Sequence, residues 1–262
     1  MKYLRLILLS TVVSAPPARA VTPARARVDY VRTIPSVREF TKSHSIFSRL
    51  LDFIAGPPEG KPEVVRPYAT THDSTGRLLV ADPGQRGVHI YDFEKRKYQF
   101  LKGPRGREMA SPIDVACDTN DDIYVTDSAR GIVYVFDTRG RFLRILGAGF
   151  LNRPTGMALD RAARRLYLTD TLRHQVLVFS LDGRLLHAIG RRGTGPGEFN
   201  FPTALTLSAG RLYVVDSMNF RIQALTPDGA FINAFGQPGL QTGTFNRPKG
   251  IAADTDGDLY VV

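Results

Sequence analysis

One phrase recurs four times along this 262-residue chain and limits what it can fold into: a short apolar run closed by an aspartate, as in LLVAD, IYVTD, LYLTD and YVVD. The closing residues are Asp82, Asp127, Asp170 and Asp216, so the steps are 45, 43 and 46 residues. Prolines keep the same register at Pro67, Pro112, Pro154, Pro202 and Pro248, and a glycine follows each aspartate by about twenty positions. A fixed period of this length marks a repeat architecture in which no unit buries its own faces alone.

Each unit reads as four short strands. The first follows the proline (IDVACD, TGMALD, KGIAAD), and the second is the run with Leu79, Tyr124, Tyr167, Tyr213 or Tyr260 at its centre. The third carries Val88, Val133, Val176 or Ile222, and the fourth reads FLRILG, LLHAIG or FINAFG. Turn formers separate them, among them Asp73–Gly76, Asp182-Gly183 and Asp228-Gly229. Runs rich in Val, Ile, Leu and Tyr at this spacing are strands, and four strands per unit of about 45 residues is the pattern of a β-propeller blade. Runs such as Ile132–Phe136 are apolar on both faces, as a sheet sandwiched between neighbouring sheets requires. The expected fold is all-β: a propeller of four-stranded blades, six when complete. The chain supplies four blades from Pro67 onward and part of a fifth, RPKGIAADTDGDLYVV, so a C-terminally truncated arc is expected.

Ahead of the repeats, residues 1–20 read as an export signal. Lys2 and Arg5 precede the apolar run Leu6–Val13, and Ala18-Arg19-Ala20 has the small-x-small cleavage pattern. The run is too short to span a bilayer, so no transmembrane anchor is expected. Residues 21–63 form an extension, with RVDYVRTI (Arg27–Ile34) as a strand that latches the last blade. Ser36–Pro58 is an amphipathic helix, capped by Ser36 and Glu39 and packing across the propeller through Val37, Phe40, Phe47, Leu51 and Ile54. The propeller itself occupies residues 64–262. Removing the signal takes the formal charge from +10 to +7, because Lys2, Arg5 and Arg19 leave with it.

The phrases FNFPTAL, RLYVVDSMNFRIQAL, DGAFINAFG and GTGPGEFNFP resemble the NHL-repeat six-bladed propellers, specifically exported bacterial ones. The resemblance covers residues 64–262 and implies the fold. That fold hosts lactonases, an amidating lyase, RNA-binding domains and plain binding modules alike.

Candidate chemistry is sparse. Asp254, Asp256 and Asp258 alternate, but Leu259 stands where a calcium loop needs glycine, so a hairpin turn is expected. GTGPG (Gly193–Gly197) precedes the next blade's proline instead of opening a helix, which makes it an inter-blade loop and no dinucleotide site. The blade histidines His72, His89, His174 and His187 occupy four different registers and do not converge as zinc ligands do. Cys117, the single cysteine, aligns with mostly apolar residues and is expected to be buried and inert. The recurring aspartates are placed to accept backbone N–H groups across the turns they open.

Cations cluster on the loops after strand two and before the prolines, which emerge on one face of a propeller. Arg86, Arg130, Arg153, Arg173, His174, Asn219, Arg221, Arg247 and Lys249 form the expected ligand-binding rim, suited to carboxylate, sulfate or phosphate. The sequence therefore points to an exported, periplasmic or extracellular, non-catalytic propeller that binds a protein or an anionic polymer. No cofactor, metal or catalytic residue is assigned, and export argues against nucleic acid. The competing reading is a metal-dependent, lactonase-like hydrolase or lyase on the same fold.

Overall fold

The computed structural model describes residues 62–262, together with Thr33, the helix Val37–Phe40 and the two-residue strand Thr11–Val12. It is a β-propeller. Strand β1 (Thr11–Val12) and helix α1 (Val37–Phe40) precede the blades. Blade one consists of β2 (Ala69–His72), β3 (Leu78–Asp82), β4 (Gly87–Asp92) and β5 (Lys97–Leu101), paired in that order. Blade two runs β6 (Pro112–Cys117), β7 (Ile123–Asp127), β8 (Ile132–Phe136), β9 (Phe142–Leu146). Blade three runs β10 (Pro154–Asp160), β11 (Arg165–Asp170), β12 (Gln175–Ser180), β13 (Leu185–Ile189). Blade four is β14 (Pro202–Ser208), β15 (Arg211–Asp216), β16 (Arg221–Leu225) and β17 (Phe231–Phe235), with a 3-10 turn at Ser217–Asn219.

A fifth sheet holds β18 (Ile251–Ala253) and β19 (Leu259–Val261), and β1 pairs on its far side, Thr11 opposite Val261. This places two residues of the segment read as an export signal on the fifth sheet. The latch strand expected at Arg27–Ile34, Thr33 apart, lies outside the described residues. So does the amphipathic helix expected at Ser36–Pro58, apart from α1. That turn buries Val37 and Phe40 against Val80 and Tyr91 of blade one, with the Phe40 ring edge-on to Tyr91 and Phe93.

The core consists of layers between blades. On β7, Ile123 and Val125 face blade one, where they meet Leu79, Val88 and Ile90, while Tyr124 between them faces blade three. Tyr167, Val176 and Val178 of blade three pack on Leu212, Val214 and Leu225 of blade four. The two-sided oiliness of the middle strands is thus used on both sides. Each buried aliphatic side chain contributes about 1.5–3 kcal/mol relative to exposure.

The residue three before each proline adds a plug from the incoming loop. Met109, Leu151, Phe199 and Phe245 are all buried between adjacent sheets, and Val64 holds the same place at blade one. The first strand of every blade is innermost, so β2, β6, β10, β14 and β18 surround the central channel. In blades two to four that strand slips register just after its proline, between Pro112 and Asp114, Pro154 and Met157, and Pro202 and Leu205.

Candidate functional site

The repeated aspartate organises the face on which the cations lie. Asp82 is fully buried and accepts the N–H groups of Val65 (2.6 Å) and Arg66 (3.1 Å) from the incoming segment, and of Gly84 (2.8 Å) and Gln85 (3.1 Å) from its own turn. Burial pushes this carboxyl up, but the backbone donors of Val65, Arg66 and Gln85 outweigh it and the net direction is down. Asp127 repeats the arrangement with Ala110, Ser111, Ala129 and Arg130, and Asp170 with Asn152, Arg153 and Arg173. Blade four departs from it. Asp216 takes one backbone donor, Asn200, and otherwise the side chains of Asn219, Arg221 and Gln223.

Four residues after each aspartate the backbone is left-handed, with φ near +56° at Arg86, His174 and Phe220 and +63° at Gly131. Only glycine adopts this conformation without a Cβ penalty. Arg86→Gly is therefore expected to keep the melting point or raise it, by no more than about 1 kcal/mol in stability. A larger loss in a melting curve would give the Arg86 guanidinium a structural role.

The sequence-derived rim residues share this face but differ in use. Arg221 pairs with Asp216 (2.9 Å) and donates to the carbonyls of Gly195 and Glu198. Asn219 donates to the Gly193 carbonyl, and His174 Nδ1 accepts the Phe201 N–H, with the two rings edge-to-face. Burial, then the nearby Arg192, lowers the His174 pKa and keeps the ring neutral. These three side chains fasten loops. Arg130 donates to the Glu108 carbonyl and Arg173 leans on Asp170 at 3.5 Å, both from exposed positions. Arg86, Arg153, Arg247 and Lys249 are exposed, and among the described residues their charged groups have no hydrogen-bond or ion-pair partner.

The acids of the same face are occupied, the exposed Glu63 excepted. The four aspartates are buried, and Glu198 is held below the usual carboxylate range by the Gly195 N–H and then by Arg191. Between the cations stand large apolar side chains open to solvent: Tyr68 (54%), Phe150 (49%), Leu172 (45%), Met218 (37%) and Leu240 (88%).

On the opposite side, the run Asp254–Asp258 is a turn. Asp254 accepts the N–H groups of Asp256 and Asp258 and the Tyr260 hydroxyl, much as Asp73 and Asp118 do in their own hairpins. The histidines stay apart: His89 is buried between Asp82 and Tyr98, and His187 lies on β13. Cys117 is buried, which pushes its thiol up to about 12. Among the described residues no three His, Cys, Asp or Glu side chains gather as metal ligands. No helix there is long and apolar enough to cross a membrane.

Asp114 is not among the residues the sequence singles out. It lines the channel on β6, accepts the Val115 N–H (2.8 Å) and, across the blade boundary, the Met157 N–H (2.7 Å). Burial without a counter-charge outweighs both bonds and raises its pKa to about 7. The signal was present: two residues after the proline the other blades carry Ala69, Gly156, Ala204 and Gly250.

Fold and site together define a β-propeller with a cationic, apolar-studded loop face. Residues 158–224 match a family described as a 6-bladed beta-propeller. Protein brain tumor of Drosophila melanogaster is 30% identical over 106 residues, which is 39% of this chain and 10% of that protein. Among solved structures, virginiamycin B lyase from Staphylococcus aureus aligns with a TM-score of 0.61 at 16% identity, covering 76% of this chain and 64% of the lyase. A gluconolactonase from Xanthomonas campestris aligns at 0.57 and 18%, covering 73% and 70%. At such identities the structural likeness concerns the fold alone.

Proposed function

We propose that this chain is an exported, non-catalytic binding propeller of the NHL type whose loop face recognises an acidic segment of a protein partner. The observation that carries the reading is the charge state of that face. Arg86, Arg153 and Arg247 stand free among the described residues, while the neighbouring acids other than the exposed Glu63 are buried or already bonded. Tyr68, Phe150, Leu172 and Met218 supply apolar contact beside them, the mixture found at protein interfaces. A plain polyanion would use the charges but not these side chains. Export rests on the basic start, the apolar run Leu6–Val13 and the Ala18-Arg19-Ala20 site.

The test is binding of three anionic probes of equal charge: an Asp/Glu-rich peptide carrying Phe and Leu, dextran sulfate, and polyuridylate. The peptide should bind best, lose at least tenfold in affinity between about 50 and 300 mM salt, and lose about thirtyfold in the triple variant Arg86→Glu, Arg153→Glu, Arg247→Glu. Equal affinity for all three probes, or indifference to the triple charge reversal, overturns the reading. Turnover of a lactone by the chain would favour the hydrolase alternative.

A further inference from the structure

In every complete blade the third strand stands in one register on the second. Leu79, Tyr124, Tyr167 and Tyr213 of the second strands lie opposite Ile90, Val135, Val178 and Ala224. The residues that follow them, Val80, Val125, Leu168 and Val214, lie opposite His89, Tyr134, Leu177 and Gln223. In the fifth sheet Tyr260 and Val261 hold these two second-strand places. Opposite them stand Val12 and Thr11, antiparallel as in each blade. Strand β1 thus takes the third-strand place of blade five, in register, with residues from the N-terminal run. The other edge of β19 is already used: the Val262 N–H donates to the Gly250 carbonyl, and the Val262 carbonyl accepts from Lys249 and Gly250. Main-chain groups alternate in direction along an antiparallel strand, so the N–H and C=O of Val261 turn to the opposite edge, where Thr11 stands. Bare, that edge is a template for another strand.

We propose that the β19 edge is a strand-acceptor site, and that its occupant is the apolar run Leu6–Val13 of this same chain, held there through Thr11 and Val12. Recognition of this kind takes its affinity from main-chain hydrogen bonds and its selectivity from alternate side-chain places. The place opposite Tyr260 is apolar in all four complete blades, and Val12 continues that series. The run carries no charge to oppose the pairing. Being tethered, it competes at an effective concentration in the millimolar range, above what a free peptide reaches in the cell. The same residues are the apolar part of the expected export signal. A cut after Ala20 would therefore withdraw the occupant and bare the edge, switching the fifth sheet from filled to accepting.

The experiment follows amide hydrogen exchange in the full chain by nuclear magnetic resonance. The Val261 amide should exchange at least tenfold faster in the double variant Thr11→Pro, Val12→Pro than in the wild type, because proline removes the N–H and breaks the ladder. Val214, fully buried on the middle strand β15, should change less than about twofold, which shows that the propeller stays folded. The chain beginning at Val21 should repeat the variant's behaviour at both amides. A synthetic peptide of the sequence Leu8–Ser14, added at millimolar concentration to either protein, should slow Val261 severalfold. The same peptide with proline in place of its threonine and first valine should leave it fast. The proposal is overturned if Val261 exchanges alike in the wild type and the double variant, or if the proline peptide protects as well as the native one.

Discussion

Asp170→Ala is expected to lower the unfolding free energy by about 3–5 kcal/mol. The carboxylate is fully buried and takes the N–H groups of Asn152 (2.6 Å), Arg153 (3.0 Å) and Arg173 (3.3 Å), with the Arg173 guanidinium at 3.5 Å. Its removal strands the Asn152 and Arg153 donors, each costing about 1–3 kcal/mol where water does not reach, while the Arg173 N–H keeps the Asp170 main-chain carbonyl at 3.1 Å. The loops are only partly buried, so water recovers some of that sum. Asp228→Ala is the control: the Asp228 side chain is 78% exposed, pairs only with Arg165 among the described residues, and its loss should change stability by less than about 0.5 kcal/mol. Urea unfolding of the two variants decides the matter. A loss within 1 kcal/mol of the control would mean the aspartate decorates the turn and does not hold it.

Asp114→Asn should act in the opposite direction and only at higher pH. The folded-state pKa of about 7 lies above the ordinary value of 3.8. A raised pKa means the folded state favours the proton, so the stabilising contribution is complete below about pH 4 and disappears as pH rises through 7. The upper bound on this loss is about 4 kcal/mol, at 1.36 kcal/mol per tenfold change in proton affinity. Channel water reaches part of the residue, so the realised figure is a fraction of it. Asparagine keeps the acceptor for Met157 and carries no charge. Melting temperatures of both proteins at pH 5 and pH 8 should show the variant gaining on the wild type by several degrees at pH 8. An unchanged difference between the two pH values would exclude Asp114 as the titrating group.

Strand content was legible because it is written four times over. Each middle strand packs on both neighbours through alternate side chains, so tertiary packing reinforces local propensity at Ile123–Asp127, Arg165–Asp170 and Arg211–Asp216. The recurrence of the aspartates also pointed to their role, since one carboxylate repeated at one turn implies a backbone partner repeated there. What the period hides is the exception. Asp114 differs from its counterparts in kind, and its importance depends on its place in the channel wall, a property of five strands that no single unit displays. By sequence, His174, Asn219 and Arg221 belong with Arg86 and Arg153 because all sit on one face. Which of them stay free depends on loop carbonyls such as those of Gly193 and Gly195, whose direction spacing does not encode. The plugs Met109, Leu151, Phe199 and Phe245 were hidden differently: they keep one register but change residue type from blade to blade.

Among the described residues, each of Asp82, Asp127 and Asp170 binds its own turn and the stretch entering the same blade, no more than 18 residues back, and Asp82 adds only His89 of that blade's third strand. A whole module can therefore be duplicated or excised without leaving any of these carboxylates unmatched. Side-chain bonds that cross blade boundaries, such as Ser74 N–H to Asp121, Met157 N–H to Asp114 and the Thr171 hydroxyl to the Pro202 carbonyl, are the ones a new junction would have to replace.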